Sequence, residues 1–289
     1  MNYLPLTELF VEIDDFCKQN KLSELSIGPK KRTSRMSRSE IMTITVFFHL
    51  SGYKNFKQFY SFLGHYHKKD FPRLVSYNRF LELKKDILLE LCHYLISRLK
   101  QGNGVYFIDS TSLNICHNRR INRNKVFKNL AQRGKSTMGW FFGFKLHIII
   151  DDKGNLVSAN VTKGNTDDRK VLPEITKGLS GKIFGDKGYI GQKWFEKLYS
   201  KGLKLVTGAR KKMKNKLLTL EEKILLKKRF LIETVNDQLK NICQINHTRH
   251  RSPINFLVNL FSGLIAYTHL KKKPSISWTK KQALYLQAL

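Results

Sequence analysis

Cysteine, acidic residues and long apolar runs are all in short supply. Only Cys17, Cys92, Cys116 and Cys243 occur, and no two of them form a C-x-x-C pair. That scatter suggests neither a disulfide framework nor a zinc site and suits a reducing cytoplasm. The longest apolar runs, 41–50 and 256–267, fall well short of the roughly 20 residues that span a bilayer. No membrane span is therefore expected, and the acidic start at Glu8, Glu12, Asp14 and Asp15 does not read as a signal peptide. Aspartate and glutamate number 22 against 53 lysines and arginines, a formal net charge of +31 over 289 residues. The excess is spread from Lys30 to Lys281 rather than confined to one tail. Such a surface concentrates polyanions and repels its own kind, so nucleic acid is the expected partner. A ribosome-associated or merely lysine-rich protein is the alternative that charge leaves open. Apolar residues make up 41% of the chain, enough for ordinary packed cores, and no internal repeat is visible.

Residues 1–100 read as helical throughout. Leu6, Leu9, Phe10, Ile13 and Phe16 recur at helical spacing, and Ser37 with Glu40 forms a capping box ahead of the apolar helix 41–50. Phe56, Phe59, Tyr60 and Leu63 continue the pattern, and 77–99 reads as a further long helix. Lys30, Lys31, Arg32, Arg35 and Arg38 cluster beside these short helices, as in a helix-turn-helix DNA-binding domain. A plain helical bundle with a solvated basic loop is the other reading.

After Gln101-Gly-Asn-Gly104 the pattern changes to strands at 105–108, 140–150 and 156–161, the last two joined by the turn 151–155. A helix from Asp167, a strand at 182–184, a helix at 192–199 and a strand at 203–206 follow. Hairpin-linked strands followed by alternating elements predict a mixed sheet flanked by helices, in the α/β or α+β range. Thr219 with Glu222 is a second capping box and opens a single long helix that carries Glu233. Ser252-Pro253 starts a last apolar helix. The expected division is a helical DNA-binding region over 1–100, a mixed-sheet domain over 104–270 and a basic tail over 271–289.

Three acids stand in settings that suit phosphoryl transfer. Asp109 ends the apolar run Val105-Tyr-Phe-Ile, Asp186 follows Lys182-Ile-Phe-Gly, and Glu233 lies in the amphipathic stretch 229–240. If the two strands are neighbours, their carboxylates emerge at one sheet edge. In-line displacement at a phosphodiester is helped by two divalent ions about 3.5 to 4 Å apart. Such ions take hard oxygen ligands, so two Asp and one Glu suffice without His or Cys. Taken singly, an Asp after a strand is more often a turn or helix cap, and Glu233 between Arg229 and Asp237 fits a solvated helix face. On that helix Arg229, Glu233, Asn236 or Asp237 and Lys240 form a polar stripe opposite Ile224, Leu231, Val235, Leu239 and Ile242.

Weaker candidates surround these. His147, late in an apolar strand, is a candidate for touching the scissile strand or positioning a water, with a structural role as the alternative. Asp167 and Asp168 read as helix caps. Trp140, Tyr189 and Trp194 are candidates for base stacking, with core packing the expectation for all three. Arg119, Arg120, Arg123 and Lys125, and separately Arg210, Lys211, Lys212, Lys214 and Lys216, read as phosphate-contacting loops.

The order Asp109, Asp186, Glu233, with Arg229-x3-Glu233-x6-Lys240 around the last acid, resembles the DDE transposases of bacterial insertion sequences, in the branch with a Y-x2-R-x3-E-x6-K signature. Asp109-Ser-Thr, Gly143-Phe-Lys-Leu-His147, Gly164-Asn-Thr-Asp-Asp168 and Gly185-Asp-Lys-Gly-Tyr189 are similar to that family's blocks, and the resemblance covers about 104–270. It departs from the signature at Leu226, where the Tyr would fall. The resemblance implies a ribonuclease H-like catalytic domain with a mixed five-stranded sheet flanked by helices, behind an all-helical N-terminal domain. It implies that Asp109, Asp186 and Glu233 are catalytic and hold two Mg2+ ions, with Mn2+ as a substitute. Arg229 and Lys240 inherit DNA contacts, for which a guanidinium fork and an ammonium point charge are suited. Lys187 and His147, which lie in matching blocks, join them as candidates.

The implied activity is that of an insertion-sequence transposase. It would cut double-stranded DNA at the element ends and direct the freed 3′ hydroxyl at target DNA, as at least a dimer on DNA. Its place would be the bacterial cytoplasm, with the nucleoid when on DNA. A metal-dependent nuclease without strand transfer and a non-catalytic DNA-binding relative are the alternatives.

Overall fold

A computed structural model describes residues 5–21, 35–136, 139–209, 217–246 and 251–278. Among them five helices come first, α1 (Leu6–Gln19), α2 (Arg38–Leu50), α3 (Phe56–Tyr66), α4 (Tyr77–Leu83) and α5 (Leu88–Arg98). Six strands follow, β1 (Val105–Cys116), β2 (Gln132–Ser136), β3 (Gly139–Asp151), β4 (Leu156–Lys163), β5 (Gly181–Gly185) and β6 (Leu203–Thr207). Helices α6 (Leu172–Ile175) and α7 (Gln192–Tyr199) lie between the later strands, and α8 (Leu220–Lys227), α9 (Phe230–Asn241) and α10 (Pro253–Thr268) come last. Packing divides the chain into two units, 1–98 with 125–127 and 238–272, and 99–124 with 128–237 and 273–289. No helix among the described residues is long and apolar enough to cross a membrane.

The first unit is built around α2. Ser37 Oγ accepts from the Glu40 N–H at 3.1 Å while the Glu40 carboxylate accepts from the Ser37 N–H at 2.6 Å, so the capping box read in the sequence forms. Every residue from Ile41 to Leu50 is buried, which makes α2 a core helix, with α1 and α10 packed against it. Helix α10 is opened by Ser252 as cap with Pro253 in its first turn. A Cβ on Gly263 of α10 would lie 2.5 Å from Ile245 Cγ2 and 3.1 Å from the Cys243 carbonyl, so glycine allows the chain after α9 to lie directly on α10. That chain is also held by His49, whose Nδ1 donates to the Cys243 carbonyl at 2.6 Å. The long helix expected over 77–99 is broken by the 3₁₀ turn Lys84–Ile87. The buried stripe runs on through the turn, with Ile87 buried along with Leu91, Tyr94 and Leu95.

The second unit holds the sheet. Strand β1 pairs antiparallel with β3 and parallel with β5, and β5 pairs parallel with β6. Both β4 and β2 pair antiparallel with β3, β4 along 144–150 and β2 along 139–143. Six strands thus replace the five expected. The added strand, Gln132-Arg-Gly-Lys-Ser136, has no apolar alternation; it forms because the start of β3 carries backbone groups that β4 does not reach. Strand β1 also runs on to Cys116 instead of stopping at Ile108, since β3 pairs with it over that whole length.

One face of the sheet, with Tyr106, Ile108, Ile149 and Ile183, is covered by Val171, Leu172, Ile175 and Leu198 from the turn 168–171, α6 and α7. Each such burial is worth roughly 1.5–3 kcal/mol. Helix α8 packs on β5 and β6, where Lys182 meets Glu221 and Lys204 meets Glu222, both at 2.6 Å. Its capping box at Thr219 forms, but the long helix expected to follow is two helices. The chain turns through Lys228 and Arg229, with the Leu231 N–H donating to the Lys228 carbonyl at 3.0 Å. In α9 Ile232 is buried with Leu231, Val235 and Leu239, while Ile242 beyond it is exposed.

Candidate active site

The parallel register of β1 on β5 runs Val105↔Lys182, Tyr106↔Ile183, Phe107↔Phe184. Carried two residues further, it sets Asp109 beside Asp186, just past the end of β5. Opposed residues on neighbouring strands share a face of the sheet, so the two carboxylates rise together at one edge. Asp109 therefore lies within β1 and not after it, with Ile148 of β3 as its other neighbour. It is partly buried, whereas Asp186 is exposed and caps the turn Lys187–Tyr189 by accepting from the Gly188 N–H. Glu233 stands in the first turn of α9. One turn later Asn236 donates its Nδ2 to Asp109 Oδ2 at 3.0 Å, which ties α9 to β1. Arg229 Nη2 donates to Glu233 Oε1 at 2.8 Å.

Burial pushes the Asp109 carboxyl up to about 6. The Ser110 backbone N–H and the Arg229 guanidinium pull it down, while the charges of Asp186 and Glu233 push it further up. Asp109 is thus within electrostatic reach of Asp186, Glu233 and Arg229. Carboxylate oxygens in such a setting are donors that a magnesium ion takes. Among the described residues, however, no three His, Cys, Asp or Glu side chains converge closely enough to hold an ion. Each acid has a partner of its own: Asp109 is engaged by Asn236, Asp186 by its own turn and Glu233 by Arg229. The donor chemistry of three carboxylates fits a divalent cation, and Glu233 is paired with Arg229.

The family model described as a transposase DDE domain matches residues 99–253, more than half of the chain and all three acids. The chain belongs to the DDE transposases. No curated protein matches it. Among solved structures it is similar to a piggyBac transposase synaptic complex with hairpin DNA, seen by cryo-EM, with 10% identity and a TM-score of 0.47 over 93% of this chain and 75% of that one.

Beside the acids, the DDE domain holds a polar cluster around a buried histidine that the sequence reading only half identified. His147 is buried, with Nε2 2.8 Å from Thr162 Oγ1. Lys145, two residues earlier on the same face of β3, donates to Asp168 at 2.9 Å and to the Thr166 carbonyl at 3.0 Å. Asp167 caps the following turn as expected, but Asp168 serves Lys145 instead. The DNA contact expected of His147 meets a side chain shut away from the surface. Burial lowers its pKa to about 4, with Asp168 opposing and Lys145 assisting. Histidine in the unfolded chain titrates near 6.5, so acid protonates the unfolded state first, and stability falls as pH drops from about 6.5 to about 4. His49 in the first unit, lowered to about 3 mainly by burial, acts in the same direction. Urea unfolding is expected to show a lower midpoint at pH 5 than at pH 7, with a smaller drop in His147→Gln. A drop of unchanged size would remove His147 as a cause.

The expected DNA contacts divide. Lys187 is exposed beside Asp186, and Arg229 is in place at Glu233. Lys240, further along α9, is partly buried and falls within the helical unit. Arg35 is exposed. Arg38 instead ion-pairs with the buried Glu90 and donates to the Asp86 carbonyl at 3.4 Å. Stranding a buried carboxylate costs about 3–5 kcal/mol, so Arg38, read in the sequence as part of the DNA-binding cluster, is also committed to the fold. Lys30, Lys31 and Arg32, and the cluster from Arg210 to Lys216, lie outside the described residues. Arg119, Arg120 and Arg123 are exposed on the 3₁₀ turn Asn118–Arg123.

Of the aromatics, Tyr189 is in the core and Trp194 packs against it, but Trp140 is 62% exposed, correcting the expectation of packing. Its cross-strand partner Lys135 holds an ammonium 6.0 Å from the ring. Asn236 is the site residue that sequence reasoning left undecided. Helical spacing allowed either it or Asp237 to face the acids, and the structure buries Asn236 and exposes Asp237.

Proposed function

We propose that this chain is the transposase of an insertion sequence, cutting DNA at the element's ends and joining the freed 3′ ends to target DNA. One observation carries the reading: the β1–β5 register sets Asp109 beside Asp186, under a helix that bears Glu233 and is fastened to Asp109. Arg229 would pass from Glu233 to a DNA phosphate, which a guanidinium grips through two parallel hydrogen bonds. Glu233 is then free to turn toward the two aspartates. The three carboxylates would hold two magnesium ions, with manganese as a substitute, and the ions when bound would stabilise both oxygens of an in-line displacement.

In the first step water attacks the phosphodiester, the bond from phosphorus to the 3′ oxygen breaks, and a 3′ hydroxyl is released. In the second that hydroxyl attacks a target phosphodiester and displaces its 3′ oxygen in turn. Exposed Arg119, Arg120, Arg123 and Lys187 would hold the DNA backbone, and holding two ends together requires at least a dimer on DNA. Incubation with DNA carrying the element's two ends and magnesium is expected to yield nicks with 3′ hydroxyls and strand-transfer products. Hydrolysis without transfer would make the protein a nuclease. Salt-sensitive binding with no cutting would make it a non-catalytic DNA binder.

A further inference from the structure

Helix α9 carries one residue out of keeping with its buried face. Ile232, Val235 and Leu239 are buried, and Asn236, 7% exposed, is buried with them. Burying an amide that lacks partners is costly, and a leucine of similar size would pack there without that cost. The amide is also incompletely satisfied. Its Nδ2 reaches Asp109 Oδ2 at 3.0 Å, while its Oδ1 is buried with no hydrogen-bond partner. An ionised carboxylate only accepts, so the nitrogen is the end that faces Asp109. The bond Asn236 makes across the unit therefore goes to the central acid of the site, at the expense of its own oxygen.

We infer, resting on the transposase reading, that Asn236 is a positioning residue for Asp109, holding one carboxylate oxygen so that the other is left for the divalent cation. A neutral donor suits the task. It orients the carboxylate without supplying a positive charge that would compete with the cation, as Arg or Lys would. Its place suits the task as well. Asn236 lies one turn beyond Glu233, so the helix that presents one acid also fixes another, and movement of α9 would be felt at both.

The test replaces Asn236 with Leu, which keeps the volume, and with Ala, which cannot overfill the position. Four quantities are read on the full chain: the thermal midpoint without metal, the affinity for end DNA without metal, the affinity for Mn2+ by electron paramagnetic resonance with DNA bound, and kcat for cleavage. Asn236→Leu, which takes one donor from Asp109 but keeps the packed volume, is expected to stay folded with a midpoint near wild type and to bind DNA unchanged, while Mn2+ affinity and kcat each fall about 10–100-fold, the usual effect of losing a partner that orients a metal ligand. Asn236→Ala is expected to show the same two losses. Wild-type Mn2+ affinity and kcat in either variant would overturn the assignment, as would losses that merely follow a lowered midpoint. Wild-type protein that neither binds Mn2+ nor cuts DNA would instead overturn the transposase reading.

Discussion

Asp109→Asn is expected to lower DNA cleavage by on the order of 10³-fold or more, beyond the 10–100-fold ascribed to an orienting partner, because the ligand itself supplies the charge that a cation requires. Asp186→Asn and Glu233→Gln are expected to do the same. Each exchange removes a charge and nearly preserves shape, so the fold has little reason to fail. Asparagine at 109 can still present an amide oxygen to Asn236 Nδ2, and asparagine at 186 can still cap the turn to Gly188, since it is among the best capping residues. Glu233→Gln weakens only an i,i+4 pair with Arg229, the kind worth about 0.3–0.5 kcal/mol. DNA affinity measured without metal should therefore stay near wild type while turnover is lost. Glu233 is the sharpest case, since in this structure it is bonded to Arg229. Ordinary cutting by Glu233→Gln would mean that the pair is a surface contact and that the site works with two acids.

The parts of this chain that were legible in its sequence are those governed by local rules. Ser37 with Glu40, Thr219 with Glu222 and Ser252-Pro253 announced helix starts that the structure keeps, because capping depends on residues within one turn. The apolar runs at 105–108 and 182–184 announced two strands, and their adjacency, stated only as a condition, is what sets Asp109 and Asp186 together. Features decided by a distant partner stayed hidden. Gln132-Arg-Gly-Lys-Ser136 is a strand only because β3 is there to pair with it. Asp109 was placed at a strand end because apolar residues stop at Ile108, whereas pairing with β3 continues to Cys116. Arg38 reads in the sequence only as one of a basic cluster, and its ion pair with the buried Glu90, far along the chain, is not visible there. The turn at Lys228 and Arg229 was invisible because both neighbouring helices are apolar and well formed. It lies just ahead of the helix on which Asn236 meets Asp109.

Gly143→Ala is expected to destabilise the sheet unit by about 3 kcal/mol, the upper end of the usual overpacking range, and to abolish cleavage along with it. Gly143 pairs with Asn114 on β1, next to the irregularity between Asn114 and Cys116. A Cβ at this position would lie 2.0 Å from the Leu113 carbonyl oxygen and 3.2 Å from the Ile115 nitrogen. Those atoms belong to backbone, which cannot step aside as a side-chain tip can, so β1 and β3 would have to separate. Separation there is transmitted to the acids, because the same two strands pair from Cys116 back through Asp109 and on to Tyr106. Gly64→Ala provides the contrast. It sits in α3, where the nearest atom to an added Cβ is Leu74 Cδ2 at 4.0 Å, and replacing a helical glycine with alanine stabilises by up to about 1 kcal/mol. Thermal or urea unfolding of the two variants should thus move in opposite directions. A Gly143→Ala protein with the wild-type midpoint would show that β1 and β3 do not approach as closely as this register requires, and the position of Asp109 would fall with it.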